Sequence, residues 1–196
     1  MFTKIAAKKI VAWLTQSGQL TEDDRVVYEF GLDKLFSSLV NFTFATLLGL
    51  LFGIFWQTVV FYTVYIMLRV YAGGYHAEKP LTCFFASIGV LIPCLTVIRF
   101  YQVWMTPLMF WSLLMVSVVV LVILAPVEHK NKRLDALEKT IYRWRMLRNL
   151  AIAVMGATAL MLLSLDSFSI ASLCGIMLSA VTAGLGKAKW TGKVFR

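Results

Sequence analysis

Residues 35–68 read "LFSSLVNFTFATLLGLLFGIFWQTVVFYTVYIML", and no charged side chain interrupts them. A single helix of that length would extend about 51 Å, whereas the hydrocarbon core of a bilayer is about 30 Å thick. The stretch therefore predicts two membrane-spanning helices joined by a turn. We place that turn near residues 53–57, with one span on each side, at 35–54 and 57–75.

The chain as a whole is also apolar and poor in charged residues. It is 60% hydrophobic and only 15% charged, whereas about a quarter of the residues in an ordinary soluble domain are charged. We therefore predict an all-α fold, a polytopic membrane helix bundle with about six transmembrane helices. Pro93 is expected to be tolerated inside one of them. The four further spans are placed at 83–101, 108–125, 149–165 and 168–186.

The N-terminal segment predicts an amphipathic helix at the membrane interface, since its lysines lie opposite an apolar face. The alternative is a helix packed on the bundle. A single membrane-embedded domain is expected over residues 1–196, with N-terminal helices at 1–34, the bundle at 35–186 and a basic tail at 187–196. The apolar face comprises Phe2, Ile5, Ala6, Ile10, Trp13 and Leu14.

Basic residues predict the orientation in the membrane. The loop expected at 128–148 holds seven Lys and Arg residues, and the tail at 187–196 holds four and no acid. Such segments stay on the cytoplasmic side, so both termini are predicted to be cytoplasmic. Topology and anionic lipid headgroups therefore explain the net charge of +9, and no nucleic-acid-binding motif accompanies it.

His76 and Cys83 are the residues that could perform chemistry. A thiolate is a strong nucleophile, and a histidine can take the thiol proton and return it to a leaving amine. Residues seven apart on a straight helix are separated by about 10.5 Å, so the helix must break if the two are to meet. Gly73 and Gly74 permit a break, and Pro80 favours a new helix near Leu81.

From spacing alone, non-catalytic interpretations of His76 and Cys83 stay open. A histidine and a cysteine at an interface are often a polar turn and a packing residue. We expect no metal site, because Glu78, Glu128 and His129 are too few to complete a structural zinc site. Cys94 and Cys174 are interpreted as inert packing residues, and the odd number of cysteines argues against a disulfide framework.

The stretch "RVYAGGYHAEKPLTC", residues 69–83, closely resembles the signature of the accessory gene regulator B (AgrB) family. That signature is Arg-x-x-Ala-Gly-Gly-x-His-Ala, with a Cys seven residues after the His. The segment "APVEHKNK", residues 125–132, is similar to the family's segment after the fourth span. The matching residues of the signature are Arg69, Ala72, Gly73, Gly74, His76, Ala77 and Cys83.

This resemblance implies a quorum-sensing cysteine endopeptidase of the bacterial cell membrane, and we expect no cofactor. Counting the predicted spans back from the basic segments places residues 69–83 of this multi-pass chain, and so its active site, at the cytoplasmic face. Its partner would be an AgrD-type peptide precursor, bound among membrane lipids. The enzyme would remove the C-terminal tail through a thioester and promote closure of a thiolactone or lactone ring. By match to the motif, His76 is the base and Cys83 the nucleophile.

Other residues are candidates for supporting roles. Glu78 or Glu128 could orient His76. Arg69 could stabilise an oxyanion or hold the turn at the two glycines, and a structural role in which its side chain snorkels to the interface is an equal alternative. A homodimer is compatible with so small a bundle. The rival hypothesis is a non-enzymatic membrane transporter or scaffold for peptide export. The residues expected to attract the acidic precursor tail are Lys130, Lys132 and Arg133.

Overall fold

The computed structural model describes residues 2–74, 80–127 and 135–194. Within them every element is an α-helix, apart from one isolated backbone bridge, and this confirms the all-α prediction. The helices are α1 (Phe2–Gln16), α2 (Arg25–Leu51), α3 (Phe55–Ala72), α4 (Pro80–Arg99), α5 (Tyr101–Trp104), α6 (Pro107–Leu124), α7 (Ala136–Leu162) and α8 (Asp166–Val194).

Four helices among the described residues are long and apolar enough to cross a membrane. The α4 helix adds a shorter apolar segment, Ala86–Arg99, and Pro93 lies inside it as expected. The count of about six spans and the cytoplasmic position of both termini stay predictions. The four candidate spans are Arg25–Leu51, Pro107–Leu124, Ala136–Leu162 and Asp166–Lys189.

The turn predicted inside the uncharged stretch is confirmed, slightly earlier than expected. The α2 helix ends at Leu51 and α3 begins at Phe55. Gly53 has φ +69°, and the Ile54 N–H donates to the Gly49 carbonyl over 2.8 Å. A positive φ costs an L-residue energy but costs glycine almost none, so Gly53 allows the chain to leave α2 at this point.

Two predicted boundaries are wrong, because helices continue into the polar segments. Residues 136–148, expected in a loop, form the first half of α7. A capping box between Asp135 and Glu138 satisfies backbone donors at its start, and good helix formers follow. Asp166, expected in a turn, is the first residue of α8, and this helix continues through most of the predicted tail to Val194.

The chain divides into two compact units, residues 1–47 and 48–196, and a single domain stays a prediction. In the first unit, Ala7 and Val11 of α1 are buried. Ile5 and Trp13 of the predicted apolar face are 48% and 62% exposed. The α1 helix therefore leaves much of its apolar face uncovered by protein, as an interfacial helix would.

In the second unit α8 is the central helix, packed against α3, α4, α6 and α7. Residues 169–176 of α8 are buried without interruption. Small residues allow this packing: a Cβ on Gly175 would press on the carbonyl oxygen of Phe61 in α3. The Ser169 hydroxyl also donates to the Ala157 carbonyl of α7 over 2.8 Å. Close backbone approach and interhelical hydrogen bonds are how helices associate in lipid.

Candidate functional site

The helix α3 ends at the position that Gly73 and Gly74 predicted. The helix ends at Ala72, and Gly73 follows with φ +71° and ψ −152°. Gly74 has φ +125°. Residues with side chains rarely adopt these backbone conformations, and the one at Gly73 is essentially restricted to glycine. The paired glycines therefore stop the helix and turn the chain before residue 75.

Gly73 is paired with the segment that follows α6. The Val127 N–H donates to the Ala72 carbonyl over 2.8 Å, and Gly73 and Val127 form a parallel backbone bridge. A Cβ on Gly73 would overlap the carbonyl oxygen of Val127. The two segments that resemble the family are thus in direct backbone contact.

Gly74 lies against two other groups, the Arg69 side chain and the Thr182 backbone. A Cβ at this position would overlap the guanidinium of Arg69 and press on the Thr182 carbonyl of α8. The Arg69 guanidinium extends towards the C-terminal end of α3 and donates to the Gly73 carbonyl, four residues later in the chain. We call residues 69–74 together with Val127 and Thr182 the glycine junction. It joins the end of α3 to α8 and to the segment after α6.

Pro80 is the first residue of α4, which agrees with the expected new helix near Leu81. The backbone of Cys83 therefore lies in the first turn of α4, where backbone N–H groups point out of the helix end. Partial positive charge at that end favours a thiolate.

The other predicted site residues lie outside the described residues. His76 and Glu78 fall within 75–79, and four more fall within 128–134. Their roles stay predictions. Among the described residues of the predicted set, the structure brings together Arg69, Gly73 and Gly74. The four in the second segment are Glu128, Lys130, Lys132 and Arg133.

Sequence reasoning missed the neighbours that hold the end of α3 from α7. The Tyr71 and Tyr142 rings meet edge to face with centroids 5.8 Å apart, and the Arg145 guanidinium lies 5.9 Å from the Tyr71 centroid. The buried Asn149 amide donates to the Met67 carbonyl over 3.0 Å. Asn149 is a polar residue beside an apolar run, and that pattern is the signal that could have identified it.

The two other cysteines lie in helix interiors, whereas Cys83 lies in the first turn of its helix. Cys94 and Cys174 lie within α4 and α8, away from the helix starts, and both are free thiols. Cys174 is buried. Within the described residues, no group of three His, Cys, Asp or Glu side chains could hold a metal ion. Both histidines are outside that part of the chain, so the expectation of no metal stays a prediction.

The fold and the glycine junction first define a class: an all-helical protein with several helices able to cross a membrane. Its distinguishing feature is a helix broken by two glycines. The chain belongs to the accessory gene regulator B (AgrB) family, whose family model matches residues 7–183. That match covers all of the junction and every predicted site residue.

Two curated proteins illustrate the likeness. Protein FsrB of Enterococcus faecalis is 38% identical to the chain over 64 residues, which cover 33% of this chain and 26% of that protein. An AgrB-like protein of Clostridium perfringens is 24% identical over 144 residues, covering 70% of this chain and 64% of that protein. The chain therefore matches less than two thirds of either relative's length. No solved structure matches.

Proposed function

We propose that this protein is a membrane cysteine endopeptidase that processes an AgrD-type peptide precursor for quorum sensing. Membership of the AgrB family supports a role in peptide processing. The observation that carries the mechanism is the interrupted helix: α3 ends at Ala72, and α4 restarts at Pro80. In the sequence His76 lies between these two helices and Cys83 lies in the first turn of α4, and we propose that the chain between them brings the imidazole within reach of the thiol.

In the proposed reaction, His76 takes the proton of the Cys83 thiol. The thiolate attacks the scissile carbonyl of the precursor, and the C–N bond breaks to leave a thioester on Cys83. The C-terminal tail departs as an amine carrying the proton from His76. A cysteine thiol or serine hydroxyl of the precursor then attacks the thioester, which closes the ring and returns the thiol of Cys83.

This chemistry needs no external energy source in the thiolactone case, since one thioester replaces another. It does require that water be kept from the acyl-enzyme, because hydrolysis would compete with ring closure. We propose that the apolar helices α3 and α4, between which His76 lies in the sequence, provide that exclusion. A multi-pass location in the cell membrane, with the site at the cytoplasmic face, is part of the proposal.

Arg69 is a positioning residue, because its guanidinium binds the carbonyl of Gly73, three residues before His76. Glu78 or Glu128 orients the imidazole. Lys130, Lys132 and Arg133 attract the acidic tail of the precursor. Replacing these three with glutamine should weaken tail cleavage more at low salt than at high salt, and salt-independent cleavage would refute this attraction.

The direct experiment is co-expression with a tagged AgrD-type precursor, followed by mass spectrometry of the tail fragment and of the protein. Cys83→Ala, Cys83→Ser and His76→Ala should abolish cleavage. Cys174→Ala, which alters a buried thiol of α8, is the matched control and should keep it. A thioester adduct on Cys83 would establish the nucleophile. Cleavage by Cys83→Ala would reject the proposal.

The second candidate is a non-enzymatic transporter or scaffold for peptide export. Transporters usually place several ionisable residues near the middle of the membrane. The apolar helix α6 carries none. Peptide export by the Cys83→Ala variant, measured with a precursor supplied already cyclised, would favour this alternative.

A further inference from the structure

A cavity of about 430 Å³ opens between the end of α6, the start of α7 and the end of α8. One side of it is basic and another is apolar. We call it the basic cavity. Its basic residues are Lys139, Arg143 and Lys187, and its apolar residues include Ile123, Leu124 and Pro126.

The basic cavity lies at the ends of the apolar segments of α6 and α8. Leu124 is the last residue of α6, and Lys187 is near the end of the candidate span Asp166–Lys189. Lys139 and Arg143 are four residues apart in the first half of α7, so they lie on one face of that helix. Three cations therefore converge at one end of the bundle, beside the exposed side chain of Ile123.

We propose that the basic cavity binds the headgroup of an anionic glycerophospholipid. The phosphodiester would accept charge-assisted hydrogen bonds from Lys139, Arg143 and Lys187. The start of an acyl chain would lie against Ile123 and Leu124. A free anion would use the cations and leave the apolar wall exposed to water, whereas a phospholipid satisfies both. Basic pockets at the ends of membrane helices suit such headgroups.

The basic cavity is also connected to the glycine junction. Ala125 and Pro126 line it, and the next residue, Val127, is the one that pairs with Gly73. A lipid held against Ala125 and Pro126 would restrict the segment from which Val127 donates to Ala72. Anionic lipid is therefore expected to stabilise the junction, whatever reaction the protein performs.

The test uses the full-length protein and native mass spectrometry, with phosphatidylglycerol titrated against phosphatidylcholine. The variant R143Q/K187Q removes two cations of the basic cavity. Its matched control, R148Q/K189Q, removes two cations from the same two helices outside the cavity lining. The wild type and the control should prefer phosphatidylglycerol, and R143Q/K187Q should bind it about thirty-fold more weakly.

Three outcomes would overturn the proposal. The first is a wild type that binds both lipids equally, and the second is an equal loss in the two double variants. The third is an R143Q/K187Q variant that binds phosphatidylglycerol as tightly as the wild type but no longer binds added inorganic phosphate or an acidic peptide. That result would mean that the basic cavity binds a different anion. Hydrogen exchange at the Val127 amide should slow with phosphatidylglycerol in the wild type; unchanged exchange would refute the connection to the junction.

Discussion

Gly53 and Gly73 have nearly the same φ, +69° and +71°, and both follow the end of a long helix, yet their surroundings are opposite. A Cβ on Gly53 would meet no atom within 4 Å. A Cβ on Gly73 would overlap the backbone of Val127. Gly53 is therefore needed only for its backbone conformation. Gly73 is needed for its conformation and for the approach of a second chain segment.

The difference distinguishes a turn that only connects two helices from a junction that joins distant segments of the chain. The turn at Gly53 connects α2 to α3 and is stabilised by local hydrogen bonds such as that from the Ile54 N–H to the Gly49 carbonyl. The glycine junction gathers three distant parts of the sequence: the end of α3, the segment at Val127 and α8 at Thr182. A conformational defect at Gly73 would therefore spread to its partners, whereas one at Gly53 would stay local.

The largest effect is expected from Gly73→Ala. The new Cβ meets backbone atoms of Val127, which cannot rotate away, and the backbone conformation is one that alanine avoids. Precursor cleavage in proteoliposomes should fall at least about 100-fold, a change of about 2.7 kcal/mol in activation free energy. Gly156→Ala, in open space on α7, is the control and should cleave normally.

Gly74→Ala should come next. One of its obstacles is the end of the flexible Arg69 side chain, which can move, while the other is the fixed carbonyl of Thr182. Cleavage should fall about tenfold to 100-fold, with thermal unfolding in detergent measured in parallel. Adding Arg69→Ala to Gly74→Ala should restore none of the activity, since the Thr182 overlap persists. Full activity of Gly74→Ala would mean that this close approach has no functional role.

Arg69→Gln should have a moderate effect. Glutamine is shorter than arginine and uncharged, so the hydrogen bond to the Gly73 carbonyl would be lost. If Arg69 only positions the turn, the maximal rate of cleavage should fall about tenfold with little change in KM. Arg99→Gln, at the end of α4, is the control. A change confined to KM would instead assign Arg69 to precursor binding.

The smallest effect is expected at the other turn. Gly53→Ala imposes a left-handed conformation on alanine, which costs about 1 kcal/mol, and creates no overlap. Thermal unfolding should shift slightly downward while cleavage is unchanged. Gly53→Asn should be milder still, because asparagine tolerates positive φ. Loss of cleavage in Gly53→Ala would erase the distinction between the two turns.

Local pattern was sufficient for several elements. The length of the uncharged stretch predicted the turn now found at Gly53, and Gly73, Gly74 and Pro80 predicted a helix end and a helix start. These predictions succeeded because backbone limits on glycine and proline act within a few residues. The polar first half of α7 was missed, because a hydropathy argument marks where a helix meets lipid and not where it begins.

The sequence by itself determined that the protein is an all-helical membrane-type chain, that two glycines interrupt it before His76, and that Cys83 follows a new helix start. Composition, run length and local backbone sterics are enough for each of these. Only the tertiary structure decided that Gly73 pairs with Val127, that Gly74 lies against Thr182, and that Asn149 binds Met67. Those contacts join residues far apart in the chain, and their selection depends on how whole helices pack around α8.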